Sequence, residues 1–157
     1  MTLVQVNWYR GPDEPSANPC WDSHVQESER LKTVLMPSFD QAYAALLDDL
    51  SARGLLEETL VVCMAEFGRS PKMNGSGGRD HWGHVYSAAL AGGGVRGGQV
   101  IGASDKIGGY PKDGRVQPDD LTATIFHGLG YSSDTEVHDT LGRPHPLSRG
   151  AVIRQVF

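Results

Sequence analysis

Apolar residues follow two kinds of pattern along the chain. Phe39, Tyr43, Leu46, Leu47 and Leu50 recur at i, i+4, i+7, i+8 and i+11, which is one face of a helix. The spacing predicts that helix from about Pro37 to Arg53. Pro37 suits its first turn and Gly54 its C-terminal stop, while Asp40, Asp48, Asp49 and Arg53 fall off the apolar face and read as solvated. A second helix is predicted from about Pro118 to Leu129. Leu121, Ile125 and Leu129 face the core, Asp119 and Asp120 favour the positive N-terminus, and Gly130 ends it. The run Thr59 to Ala65 is largely apolar without alternation, bounded by Glu57-Glu58 and Glu66. Such a run suits a strand buried on both faces, as in a parallel sheet under helices. Helix followed by buried strand is half of a βαβ unit, so the expected fold class is α/β with a mostly parallel sheet.

Weaker signals fill the rest. Leu3 to Trp8 alternates loosely and reads as a short strand, and Tyr9 to Asn18 as loop. Gly68 to Gly83 reads as a long Gly-, Ser- and Asn-rich loop. Val85–Leu90 and Val95–Ile101 are candidate strands separated by Gly92-Gly93-Gly94, Ser132 to Pro146 reads as loop, and Ala151 to Val156 as a last strand. The 157 residues fit one domain or a piece of a larger one.

Composition narrows the function classes. With 14 Lys+Arg against 19 Asp+Glu the net charge is −5, and no basic stripe exists to meet nucleic acid. No apolar run approaches the roughly 20 residues of a membrane span. The Met1 end shows no basic-then-apolar secretory signal, and the compartment is left open. Cys20 and Cys63 make no disulfide framework.

Three clusters carry candidate chemistry. Asp22 and His24, two apart, project to one side of an extended backbone and can offer an oxygen and a nitrogen to one divalent ion. Glu66 ends the apolar run, where ligands bind beyond the strand ends of open α/β sheets, with Arg69 close by as a salt-bridge partner. Gly78 to His84 packs Arg79, Asp80, His81, Trp82 and His84 into a Gly-flanked loop. Metal-dependent hydrolases need this inventory: oxygen and nitrogen ligands for the ion, and Arg for an anionic substrate. His127, His138-Asp139 and Arg143-Pro144-His145-Pro146 read as structural. The Gly92–Gly94 and Gly97-Gly98 stretches match no phosphate-binding spacing.

The strings Cys20-Trp21-Asp22-Ser23-His24, TLVVCMAEFGR from Thr59, GRDHW from Gly78 and LAGGGVRGGQVIGA from Leu90, closing on Gly142-Arg143-Pro144, follow one another in order. From about Val4 onward the chain resembles the C-terminal portion of the DUF1501 family, a sulfatase-like group of the alkaline phosphatase superfamily. The resemblance implies a three-layer α/β/α sandwich around a mostly parallel sheet, and a metal-assisted site for phosphate or sulfate esters. It implies that Asp22, His24 and His81, or less readily His84, hold one ion. Glu66, assisted by Asp80, would serve a second ion, and Arg79 or Arg69 would meet the anionic ester.

Two departures stand out. Phe67 occupies a position where superfamily members carry His or Asn, and Glu66 replaces the usual Asp. The nucleophile and its neighbouring Asp would lie upstream of Met1, so the chain reads as a C-terminal part that does not turn over efficiently by itself. Its exposed sheet edges would be covered by the missing half or by a homo-oligomer. Zinc fits the ligand set first, with manganese or calcium admitted. The rival expectation is a non-catalytic metal-binding or secreted recognition module derived from the same fold.

Overall fold

A computed structural model describes residues 3–8 and 19–157. The loop expected over Tyr9 to Asn18 lies outside the described residues. Leu3 to Trp8 is exposed and forms no ladder, and Trp8 closes edge-on against Trp21 at 5.6 Å between ring centroids.

The first long helix begins earlier than its apolar stripe announces. Helix α1 (Glu27–Arg30) runs into a π-helical turn (Leu31–Leu35) and then into α2 (Met36–Ala52). Pro37 accounts for the wide turn. It has no N–H to give the Thr33 carbonyl and its ring crowds that position, so the ladder opens just before it. Gly54, at φ +68°, takes the left-handed conformation that stops the helix. Phe39, Tyr43, Leu47 and Leu50 are half-buried, whereas Leu46 is exposed. Trp21, Phe39 and Tyr43 continue the aromatic line from Trp8 onto the helix.

The sheet corrects the expected architecture. Strand β1 (Val61–Cys63) pairs antiparallel with β4 (Ala89–Ala91). Between them, β2 (Gly68–Arg69) pairs antiparallel with β3 (His81–Trp82). Further on, β5 (Ala103–Ser104) pairs with β6 (Pro111–Asp113), and β7 (Glu136–His138) with β8 (Pro144–Pro146), both antiparallel. Every sheet among the described residues has two strands, so the chain is not a three-layer sandwich around a parallel sheet. The physical reason lies in the connections. A parallel neighbour requires a crossover of a dozen or more residues, usually helical. After β1 the chain instead turns through Gly- and Ser-rich loops, which return it antiparallel. Only Val61–Cys63 of the apolar run enters a ladder, half-buried rather than enclosed on both faces.

Helix α3 (Pro118–Gly128) matches its sequence signals. Gln117 and Asp120 form a reciprocal capping box, with Asp120 accepting from the Gln117 N–H at 2.9 Å. Leu121, Ala123 and Thr124 are buried. The Thr124 hydroxyl donates to the Asp120 carbonyl and accepts from the Ile153 N–H, which lays the C-terminal segment across the helix. That segment ends in a 3-10 turn (Arg154–Val156) rather than a strand. Leu35, Leu121, Ala123 and Val156 are the buried apolar side chains of the described residues. No described helix is long and apolar enough to cross a membrane.

Candidate metal centre

Two distant segments, 22–27 and 74–81, lie backbone against backbone and build the site. Val25 bridges Gly77. The N–H groups of Gln26 and Glu27 donate to the carbonyls of Ser76 and Gly77, and the Arg79 N–H donates to the Ser23 carbonyl at 3.2 Å. Gly78 permits this approach, since a Cβ there would overlap the His24 carbonyl group. Successive i to i+2 hydrogen bonds, Ser23 N–H to Trp21 and His24 N–H to Asp22, hold the chain in γ-turns. Ser23 is buried, and Asp22 and His24 converge on its other side.

His81 arrives from β3. The β2–β3 register sets it directly across from Arg69. The result is a tight triangle. Asp22 Oδ1 lies 2.7 Å from His81 Nε2 and 3.0 Å from His24 Nε2, and the two Nε2 atoms are 3.2 Å apart. These residues form the group of three metal-competent side chains found among the described residues. Phe67 packs on the His81 ring at 4.3 Å between centroids.

With Asp22 ionised, no placement of the imidazole protons satisfies all three edges of this triangle. With both Nε2 atoms protonated, two donors face each other. With one protonated, the other nitrogen and the carboxylate meet lone pair to lone pair. With neither, every edge is a contact between acceptors. A cation removes the conflict. The three atoms lie on a circle of about 1.7 Å radius, smaller than zinc–ligand lengths of about 2.0–2.2 Å. A single point off their plane therefore reaches all three.

The surroundings favour an anionic Asp22. Burial pushes its carboxyl up, but hydrogen bonds from His81 and Arg69 and the adjoining positive charges outweigh this and hold it at about 2. Arg69 donates to Asp22 Oδ1 at 2.7 Å and to the Trp21 carbonyl at 3.1 Å. Its partner is thus Asp22 rather than Glu66. Arg79 pairs with the buried Glu27 at 2.8 Å and donates to the carbonyls of Ser70 and Pro71. Both guanidinium groups hold the frame of the site.

The remaining candidates stand apart from the triangle. Asp80 Oδ1 meets the far nitrogen of His24, Nδ1, at 3.2 Å. Glu66 is exposed at the bend between β1 and β2 and joins no metal-competent group among the described residues. His84 packs against Trp82 and Tyr110 at 4.9 and 4.8 Å. Glu27 and Asn74 went unread in the sequence. The Asn74 side chain donates to the His24 carbonyl and to Asp80, and accepts from the N–H groups of Ser76 and Gly78. An Asn in a Gly-rich loop was its only signal.

The family model described as "Protein of unknown function (DUF1501)" matches residues 1–157. The chain belongs to the DUF1501 family. No curated protein and no solved structure matches it. Within this DUF1501 chain, Asp22 and His24 meet His81 across 59 and 57 residues of sequence.

Proposed function

We propose that Asp22, His24 and His81 hold one divalent cation, and that the domain serves as part of a metal-dependent hydrolase of phosphate or sulfate esters. The triangle that no placement of imidazole protons satisfies around an ionised Asp22 carries this reading. Three protein ligands, with His81 exposed, leave a coordination position open, as catalytic rather than structural sites do. Two nitrogens and one oxygen suit zinc, then manganese, and calcium least. A bound ion would lower the pKa of a water or hydroxyl and offset charge on the anionic ester. The chain's own part is to hold the ligands, with Arg69 fixing Asp22 and Phe67 backing His81.

A second reading, a non-catalytic metal-binding module, is favoured by the inward pairing of Arg69 and Arg79 and by the separation of Glu66. Calorimetric titration with zinc tests the shared premise. One ion per chain is expected, with affinity falling more than about 100-fold in His81→Ala, beyond the 10–100-fold typical of losing an outer partner. Zinc binding that is absent, or indifferent to His81→Ala, would sink both readings. Zinc-dependent cleavage of 4-nitrophenyl phosphate or sulfate, lost in His81→Ala, would assign the hydrolase. Because the hydrolase reading does not expect this chain to turn over by itself, the module is assigned instead by zinc binding with no affinity of the zinc-loaded chain for inorganic phosphate or sulfate.

A further inference from the structure

We infer that Asp80, anchored by Asn74, is a positioning residue that fixes the tautomer and ring orientation of His24 for the ion. The inference rests on the metal reading and deepens it. An imidazole offers a ligand nitrogen on one side only when its proton sits on the other. Asp80 Oδ1, 3.2 Å from His24 Nδ1, is an acceptor placed to keep the proton there. Nε2, the nitrogen facing Asp22 and His81, is then left with its lone pair.

Asp80 is itself held. Asn74 Nδ2 donates to Asp80 Oδ1 at 3.2 Å and to the His24 carbonyl at 3.0 Å. One carboxamide thus ties the orienting carboxylate to the backbone of the residue it orients. The Asp80 N–H donates to the Ser70 hydroxyl, and the Ser70 N–H to the Asp80 carbonyl, which fixes the loop from the other side. The carboxylate–imidazole–ion arrangement explains why an Asp precedes His81 without itself entering the triangle.

Zinc titration and nitrogen-15 spectra of the His24 ring, recorded on zinc-free protein, test the assignment. Asp80→Ala should weaken zinc about 10- to 100-fold and shift the zinc-free His24 proton from Nδ1 toward Nε2. Asp80→Asn keeps an oxygen acceptor without the charge and should fall between the two. A general loss of packing would not move the tautomer. If the unaltered chain binds zinc and Asp80→Ala binds it equally well with the tautomer unchanged, the positioning role is overturned while the metal centre stands. If the unaltered chain binds no zinc, both fall.

Discussion

Two places in the molecule gather an aspartate, an arginine and a histidine, and they differ in how the chain brings them together. In the β7–β8 hairpin, Asp139 accepts from the N–H groups of Leu141 and Arg143 and from Arg143 Nε at 2.6 Å, with His145 Nε2 at 3.5 Å. Every partner lies within six residues, and one tautomer of His145, with its proton on Nε2, makes each contact a pairing of donor with acceptor. At Asp22 the partners are His24, two residues on, and Arg69 and His81, 47 and 59 residues away, and around the ionised carboxylate no placement of imidazole protons suits all three edges. The hairpin cluster closes a turn, and the other is the one proposed to hold a cation. Residue inventory alone does not separate them, but the sequence distance of the contacts and their unsatisfied geometry do.

Glycine replacements test that contrast most severely. Gly78→Ala puts a methyl into the His24 carbonyl group, so the backbone of one segment must move. We expect a loss of about 3 kcal/mol, the upper end for overpacking, and a zinc affinity reduced along with it. Gly142→Ala in the hairpin meets no atom within 4 Å and carries only its φ of +75°, costing about 1 kcal/mol. Zinc affinity should be unchanged there. Urea unfolding and zinc titration of both variants decide. Weakened zinc binding in Gly142→Ala, or untouched binding in Gly78→Ala, would erase the distinction.

Next in size is Glu27, 5 % exposed and paired to Arg79. Glu27→Ala leaves the guanidinium without its carboxylate in a largely enclosed position. Because the Arg79 side chain is one-third exposed, the loss should be about 2 kcal/mol, below the 3–5 of a fully buried pair. The same test in the hairpin, Arg143→Ala, removes an exposed partner of Asp139 and should move the urea midpoint far less. Equal effects would place both ion pairs in the same solvated class.

These cases also mark what a reader of the sequence can and cannot see. Helix α3 was legible because its N-terminal aspartates, apolar spacing and closing glycine are local signals that agree, although its capping box was seen only in the structure. Asp22, His24 and His81 were legible as chemistry-bearing types in two short strings. Glu27 was not, since it sits in a charged stretch, and its hydrogen bond to Gly77 and its ion pair with Arg79 are made only across the fold. Gly78 looked like any other loop glycine until the His24 backbone lay against it. The β1–β4 pairing was misread because an unbroken apolar run states that a strand is screened from water, not which strand lies beside it. Direction and neighbours are set by the connection, and this one, residues 64–88, carries a hairpin instead of a crossover helix and returns antiparallel.

The smallest effect concerns acid, and it tests whether the hairpin cluster is only structural. The Asp139 carboxyl lies below the usual carboxylate range. The Arg143 backbone N–H contributes most to that, followed by the Arg143 side chain, against a small upward push from burial. A group whose pKa is lower folded than unfolded stabilises the fold above its unfolded value, near 3.9 for Asp, and loses that contribution as pH falls through the lowered one. The amide shifts of Leu141 and Arg143, which donate to this carboxylate, should therefore hold down to the ordinary carboxylate range and drift toward turn-free values below it. In Asp139→Asn the drift should vanish, because the carboxamide oxygen accepts the two backbone N–H groups at every pH. Adding zinc should leave the hairpin shifts unmoved throughout, since Asp139 already has its donors. A zinc-induced change at His145 would show that the hairpin, too, is open to a cation, and the contrast between the two clusters would then be one of degree.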